Sequence, residues 1–141
     1  MSDLFGQIIG ALSSGLPLLL GHALIALALL GIGAWIYTQV TPFHERPLIA
    51  QGNCAAGITM GGAVISLAVP LAAMLATSRA TIDIVVWGIV AVALQLIAFL
   101  VVAMLMKNLR HMIEGGNLAA AFVLAGVQLA VALLNAGAMA G

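Results

Sequence analysis

Apolar residues fill four long stretches of this chain, and polar residues collect in the short stretches between them. Residues 16–40, 57–77, 84–106 and 118–140 carry no formal charge. Each stretch has about the 20 residues that a helix needs to cross the core of a bilayer. The pattern predicts an all-α protein with four membrane-spanning helices. Because the connectors are short, consecutive helices should pack as antiparallel hairpins.

A weaker apolar pattern precedes the first span. Leu4, Phe5, Ile8, Ile9 and Leu12 fall on one face of a helix, which predicts either an interfacial foot or an extension of the first helix, with the foot favoured. The same stretch has an acid and no Lys or Arg, so it lacks the positive region of a secretory signal peptide. We therefore expect the first apolar segment to stay in the mature protein.

Composition agrees with a lipid environment. The chain is 65% hydrophobic and 6% charged, whereas soluble domains have roughly 25% charged residues. Its formal net charge is zero and it has no basic cluster, which excludes a nucleic-acid-binding surface. The bilayer is the predicted surrounding medium.

A polar motif occurs twice, 64 positions apart. HERPLIAQGNCAAG, which begins at His44, aligns with NLRHMIEGGNLAAA, which begins at Asn108. The informative matches are Arg46 with Arg110, Ile49 with Ile113, Gly52 with Gly116 and Asn53 with Asn117. We interpret residues 1–141 as a single membrane domain, a four-helix bundle of two tandem helical-hairpin repeats at about 15–78 and 79–141. Because each repeat has an even number of spans, both should have the same orientation.

The motif also accounts for the crowding of polar residues. Pro42 and Pro47 discourage continuation of the preceding helix, and Asn53 and Asn117 are preferred N-cap residues for the helix that follows. The Gly-Asn pair is therefore interpreted first as a capping device and second as a candidate ligand site.

Charge placement predicts an orientation. The two connectors of this type, residues 40–53 and 107–117, carry Arg46, Lys107 and Arg110, while the opposite side carries Arg79. The positive-inside rule then places these connectors in the cytoplasm and both termini in the periplasm. Glu45 could form an ion pair with Arg46, Arg110 or Lys107 at the cytoplasmic interface, where such pairs would fix helix ends or contact a partner. It has no acidic counterpart in the second repeat, where Leu109 stands.

Small residues mark the predicted helix contacts. The second span carries Gly57, Gly61 and Gly62, and the fourth carries Gly126. Small residues let helix backbones approach closely in lipid. These faces could close the two halves against each other, or bind a second copy or another membrane protein.

Polar residues inside the spans form the candidate site. Gln95 and Gln128 share the predicted midplane and could form an amide clasp or contact a substrate. Nearer the outer face, His22, Asn135 and the carbonyl of Ser66, freed by Pro70, could line a polar cavity for a proton or cation. The alternative for His22 is a bond to a neighbouring backbone carbonyl.

Enzyme chemistry finds little support in the sequence. It contains no metal-ligand spacing, no nucleophile elbow and no phosphate-binding Gly-rich loop ending in Lys. A single cysteine, Cys54, excludes an intramolecular disulfide. We predict a non-enzyme without catalytic residues, cofactor or metal.

Several of these motifs together resemble one bacterial family. The residues are TPFHE at 41–45, Ile49 with Gly52-Asn53, and Ile113 with Gly116-Asn117 running to Leu134-Asn135-Ala136. Over roughly residues 15–140 the chain is similar to the YjfL-type inner-membrane proteins, domain of unknown function 350. The resemblance implies a four-helix plasma-membrane protein without established catalysis and with envelope-stress or membrane-remodelling partners. The residues that match the family pattern are Pro42, Glu45, Gly52, Asn53, Gly116 and Asn117.

Two functions follow as hypotheses. The first is a non-enzymatic inner-membrane component that self-assembles or binds envelope partners. The second is a small oligomeric ion channel or transporter that uses His22, Gln95, Gln128 and Asn135.

Overall fold

Six helices make up the described part of the chain. The computed structural model describes residues 2–78 and 80–141. The helices are α1 (Ser2–Val40), α2 (Glu45–Ala50), α3 (Cys54–Thr77), α4 (Thr81–Leu105), α5 (Leu109–Glu114) and α6 (Leu118–Ala140). No strand occurs in these residues, so the predicted all-α class is confirmed. Arg79, used in the orientation argument, lies outside the described residues.

The four long helices correspond to the four predicted spans. α1, α3, α4 and α6 are each long and apolar enough to cross a membrane. α1 is longer than predicted, because its 39 residues extend about 58 Å at about 1.5 Å per residue. The stretch ahead of the first span continues α1 without a break, and residues 3–20 are exposed on all sides. The structure therefore shows the predicted extension of the first helix, and the interfacial foot that was favoured does not form as a separate helix.

The centre of the fold is the contact between α3 and α6. A Cβ added to Gly62 would lie 2.6 Å from the Cβ of Ala125, so the glycine is what allows the two backbones to approach. α1 and α4 pack against each other and against α3, and α4 also reaches α6. α3 and α4 therefore each contact all three of the other long helices, whereas α1 and α6 each pack mainly against two.

Two apolar clusters fill the interior. One lies near the connectors and includes Tyr37, Phe43, Phe99 and Ile113, with the Tyr37 and Phe99 ring centroids 4.7 Å apart. The other, of Leu67, Leu71 and Val92, lies toward the opposite end. We call the two ends of the bundle the connector side and the terminal side.

Each connector contains a short helix that the sequence did not predict. α2 and α5 end in the same way: Gly52 and Gly116 adopt positive φ angles of 82° and 76°, a conformation that favours glycine. The next residue then donates back into the short helix, Asn53 to Leu48 O at 2.9 Å and Asn117 to Met112 O at 2.8 Å. This is the Schellman pattern of a helix end.

Pro47 corrects one expectation about these connectors. It was predicted to stop a helix, but it lies in the first turn of α2, where a missing amide hydrogen costs nothing because that group has no intrahelical partner. The duplication of the whole chain stays a prediction; what the structure shows is the shared geometry of the two connectors.

Candidate functional site

A set of buried polar side chains lies inside the bundle, and we call it the polar cluster. Its members come from α1, α2, α3, α4 and α6, and each is at most 3% exposed. They are Tyr37, Glu45, Thr59, Ser66, Gln95 and Gln128. Polar groups buried within membrane helices are costly and commonly mark function.

Glu45 is the charged member of the polar cluster. It is 3% exposed, and Leu109, its counterpart 64 residues later, is also 3% exposed. The first residue of both connector helices therefore faces inward. Neither carboxylate oxygen of Glu45 forms a hydrogen bond of good geometry, although the Tyr37 hydroxyl lies close to the carboxyl group. The predicted ion pair at the interface is wrong, because Glu45 turns into the bundle while Arg110 Nε donates to Glu114 Oε1 at 2.8 Å.

The surroundings of Glu45 favour its neutral form. Burial raises the pKa of this carboxyl to about 7, because the charged form loses its hydration. The neighbouring Tyr37 hydroxyl opposes this rise by favouring the carboxylate. The group can therefore take up or release a proton near neutral pH.

Four members of the polar cluster line a small internal cavity. Tyr37, Ser66, Gln95 and Gln128 surround a volume of about 10 Å³, closed by apolar side chains that include Phe99. A cavity of this size holds about one water molecule. The Tyr37 hydroxyl, Gln95 Oε1 and both amide atoms of Gln128 form no hydrogen bond of good geometry within the protein. The cavity therefore offers several unpaired oxygens to one small occupant.

Gln95 and Gln128 meet, but differently from the predicted amide clasp. Gln95 Nε2 donates to the backbone carbonyl of Gln128 at 2.9 Å, so the side-chain amide of Gln128 stays available. Thr59 and Ser66 each donate to a carbonyl three residues earlier in α3. Their oxygens keep lone pairs free to accept.

The polar cluster runs from the connector side to the middle of the bundle. Tyr37 is three residues from the end of α1, whereas Gln95 and Gln128 are each ten residues from the connector-side ends of α4 and α6. At about 1.5 Å per residue the depths are about 5 and 15 Å. Below lie Leu67, Leu71 and Val92, so the polar cluster is closed toward the terminal side.

The residues predicted to line one cavity lie at separate places in the structure. Ser66, Gln95 and Gln128 come together, but His22 and Asn135 lie elsewhere. His22 Nε2 is 3.1 Å from Thr81 Oγ1 and fastens α1 to the start of α4. Asn135 lines a separate cleft with Trp87 and Met74. Similar depth along the helices did not bring these side chains together, because they point to different faces.

The predicted capping asparagines adopt nearly identical local conformations. Asn53 Oδ1 accepts from Ala56 N at 3.0 Å and Asn117 Oδ1 accepts from Ala120 N at 3.1 Å. Asn53 has a second role that the sequence did not reveal. Its Nδ2 donates to Ile113 O at 2.9 Å and to Glu114 O at 3.2 Å. Asn53 thus joins the two connectors, which lie on one side of the bundle.

The glycines predicted to pack helices also have different environments. Gly62 lies in the α3–α6 contact, whereas a Cβ added to Gly57, Gly61 or Gly126 would have nothing within 4 Å. We call these three the open glycines.

Sequence reasoning missed Tyr37 and Thr59 as site residues. The available signal was that Tyr37 is the single tyrosine of the chain and lies close to the first connector. In the described residues, no three His, Cys, Asp or Glu side chains come together as a metal site. The chemistry available in the polar cluster is that of one carboxyl group, two hydroxyl-bearing Ser/Thr side chains, a phenol and two amides.

Comparisons with known proteins found one family model and two relatives that match this chain. The family model described as Domain of Unknown Function (DUF350) matches residues 11–139. UPF0719 inner membrane protein YjfL of Escherichia coli K12 is 30% identical over 115 residues, covering 82% of this chain and 87% of the relative. The protein of the same name from Escherichia coli O157:H7 shows the same identity and coverage. No solved structure gives a significant match.

Proposed function

The chain belongs to the DUF350 family, and on that premise we propose that it is a non-enzymatic component of the inner membrane that assembles with further copies of itself. A multi-pass inner-membrane protein is what its relative and its four candidate spans support. Envelope proteins are the alternative partners for the same surfaces. The connectors are proposed to face the cytoplasm, on the basis of Arg46, Lys107 and Arg110.

The open glycines are the observation that carries the assembly proposal. A glycine in a helix destabilises it by roughly 0.5–1 kcal/mol relative to alanine. For Gly62 this loss is offset because the glycine lets Ala125 pack closely against it. Gly57, Gly61 and Gly126, in contrast, face open space in the single chain. In lipid, small residues at a helix surface permit close helix–helix contact. A neighbouring chain packed there gives these glycines the role that Gly62 has within the bundle.

The exposed surface of α1 is consistent with the same proposal. Only 6% of its most apolar window is buried, compared with 44% for α3. Large side chains such as Leu24, Leu27 and Trp35 point outward. α1 therefore has most of its surface free for lipid or for another chain.

A glycine substitution tests assembly. We expect Gly126→Leu to reduce the mass of the gently solubilised particle to that of a single chain, because the leucine would hold a neighbouring helix away. Gly137→Leu is the matched control, since Gly137 is also exposed on α6 with nothing near it but lies close to the helix end. A single-chain mass for the unmodified protein, or an unchanged assembly in Gly126→Leu, would refute the proposal.

A transport function is the second candidate, and the polar cluster favours it. Polar side chains extend from the connector side to the middle of the bundle. They therefore cover about half of a path across the membrane. The apolar layer of Leu67, Leu71 and Val92 closes the other half. Ion flux through reconstituted protein that responds to Gln95→Leu would support a small oligomeric channel or transporter; absence of flux with an intact assembly would support the first function.

A further inference from the structure

The oxygens of the polar cluster that form no well-aligned hydrogen bond point to a bound ligand. Buried polar atoms are almost always hydrogen-bonded, yet Gln95 Oε1 and Gln128 Oε1 form no hydrogen bond of good geometry within the protein. Their residues line one cavity of about 10 Å³ together with Tyr37, whose hydroxyl lies close to Glu45, Gln128 and Thr59 without a well-aligned bond to any of them. Ser66 contributes a fourth oxygen to the same wall. Carboxylate, amide and hydroxyl oxygens are the ligands that hard cations prefer.

Glu45 adds a negative charge, and among the described residues no Lys or Arg side chain forms an ion pair with it. Tyr37 is the titratable group that contacts it from α1. His44 and Arg46, its neighbours in the chain, are exposed, as is Lys107. On α5, Arg110 forms an ion pair with Glu114.

No titratable residue faces the cluster from α3, α4 or α6. The cysteine of α3, Cys54, is exposed, and the acid of α4, Asp83, lies in its first turn, on the terminal side. A buried carboxylate without a partner is strongly unfavourable, so Glu45 calls for a positive charge or a proton.

We propose that the polar cluster binds one small monovalent cation of the sodium class. The cation lies in the cavity among Tyr37, Gln95 and Gln128, and Glu45, in contact with Tyr37, supplies the compensating charge. The site is distinct from the assembly surfaces and does not depend on them.

Charge and size select this class of ligand. One carboxylate and one monovalent cation leave the interior neutral, whereas a divalent ion would leave an excess positive charge inside a membrane protein, which is costly. The cavity has room for about one water-sized body, so the ion must enter without its hydration shell. The hydroxyl and amide oxygens replace the lost water.

The connector side provides the entrance. A surface cavity of about 200 Å³ is lined by Thr38, Gln39, His44, Glu45, Arg46 and Pro47. Glu45 borders this outer cavity and interacts with Tyr37, which borders the inner one. The carboxyl group therefore stands between the two, and the apolar layer beneath makes the inner cavity a dead end for the ion.

Thermal unfolding of the purified protein in detergent tests the proposal. At pH 8.5, where Glu45 is ionised, unfolding is followed in NaCl, KCl and choline chloride at equal ionic strength. We expect the melting temperature to rise saturably with NaCl and not with choline, because a ligand that binds only the folded state stabilises it by mass action. KCl should require a higher concentration than NaCl.

Variants identify the site. Glu45→Gln should abolish the sodium response, and Tyr37→Phe should raise the apparent Kd several-fold while leaving the fold intact. Glu114→Gln, at the same end of the bundle but in the surface pair with Arg110, should keep the full response.

The other outcomes overturn the proposal. Equal melting temperatures in all three salts would mean that a water molecule, or a proton on Glu45, is the only occupant. A sodium response that survives in Glu45→Gln would place the ion elsewhere. If Glu45→Gln is not recovered folded, direct binding of ²²Na⁺ at pH 8.5 to the unmodified protein and to Tyr37→Phe decides the question, because equal binding in both would place the ion outside the cavity that Tyr37 lines.

Discussion

Glu45 and Leu109 show, at the scale of single residues, that packing alone does not explain the polar cluster. Both begin a connector helix and both are 3% exposed. A leucine fills such an inward position with apolar surface, whereas a glutamate loses the hydration of its carboxyl group there. The first connector therefore carries an ionisable carboxyl group at the position where the second connector carries an apolar side chain.

Stability should fall as pH rises because of Glu45. The folded-state pKa of this carboxyl is about 7 and its ordinary value is 4.5, so the folded protein holds the proton more tightly than the unfolded chain. The stabilisation is complete below about pH 4.5 and is lost as pH rises through about 7, by about 3 kcal/mol in all. Melting temperatures measured in choline chloride from pH 5 to pH 8.5 test this.

Glu45→Gln is the control for that pH dependence. The amide has the shape of the protonated acid and does not ionise, so the variant should be as stable at pH 8.5 as at pH 5. An equally steep decline in the variant would assign the effect to another group.

Asn53 and Asn117 should respond differently to the same substitution. Aspartate is as good an N-cap as asparagine, so Asn117→Asp should change the free energy of unfolding by less than about 0.5 kcal/mol. Asn53→Asp also replaces the Nδ2 donor with an oxygen facing Ile113 O and Glu114 O. We expect a loss of about 2 kcal/mol or more, since lone pairs then face each other. Equal effects in denaturant titrations would mean that the Asn53 bridge contributes nothing.

Helix packing, at the scale of elements, depends on where a glycine lies. Gly62 and Gly126 stand at equivalent positions, 64 residues apart, in α3 and α6. A Cβ on Gly62 would meet Ala125 Cβ at 2.6 Å and Ala125 Cα at 3.1 Å, whereas one on Gly126 would meet nothing. Only the first of the two limits the distance between these helices.

Alanine substitution distinguishes these two glycines. Gly62→Ala should cost about 1–3 kcal/mol because α6 must move away, and Ala125→Gly in the same chain should restore part of the loss. In the single chain, dissociated from any assembly, Gly126→Ala should be neutral or stabilising by up to about 1 kcal/mol through helix propensity. Unfolding in mixed micelles measures both, and a neutral Gly62→Ala would contradict the close α3–α6 contact.

The sequence predicted the elements better than their connections. Charge-free stretches are a direct consequence of a hydrocarbon environment, so the four spans followed from composition and length. The short helices α2 and α5 contain only six residues each, too few for a periodic pattern. They owe their form to glycines with positive φ angles. The length of α1 was underestimated because Ser13, Ser14 and Pro17 weaken its apolar pattern without ending the helix.

At the scale of the whole molecule, the two connectors lie together. Asn53 Nδ2 reaches the carbonyl end of α5, so α3 and α6 start at the same side and run in the same direction. The duplicated motif had predicted a shared orientation for the two halves. The side of the membrane that this end faces stays a prediction from charge.

Labelling of Cys54 tests that orientation. The thiol is exposed at the start of α3, next to the connectors. We expect a membrane-impermeant maleimide to modify it in inside-out vesicles and not in intact spheroplasts. Thr77→Cys in a Cys54→Ser chain, exposed at the opposite end of α3, should show the reverse. Labelling of Cys54 from outside would invert the proposed topology.

The polar cluster could be predicted only in part. Gln95, Gln128 and Ser66 were singled out because polar residues are rare in these spans. Glu45 was noticed for its lack of an acidic counterpart but was expected at the surface, because its neighbours are charged. Tyr37 and Thr59 were missed, since which face of a helix a side chain occupies depends on tertiary packing. For the same reason, the sequence did not show that His22 and Asn135 lie away from the cavity they were predicted to line.

The dead end beneath Gln95 and Gln128 has an electrical consequence. An ion held at that level has crossed about half of the membrane, and a full crossing at 100 mV is worth about 2.3 kcal/mol per elementary charge. With a negative interior and connectors on that side, entry to the cavity would be uphill by about 1 kcal/mol. Occupancy of the cavity by the cation would then rise several-fold when the membrane depolarises. The cavity would therefore respond to the membrane potential although no ion passes through it.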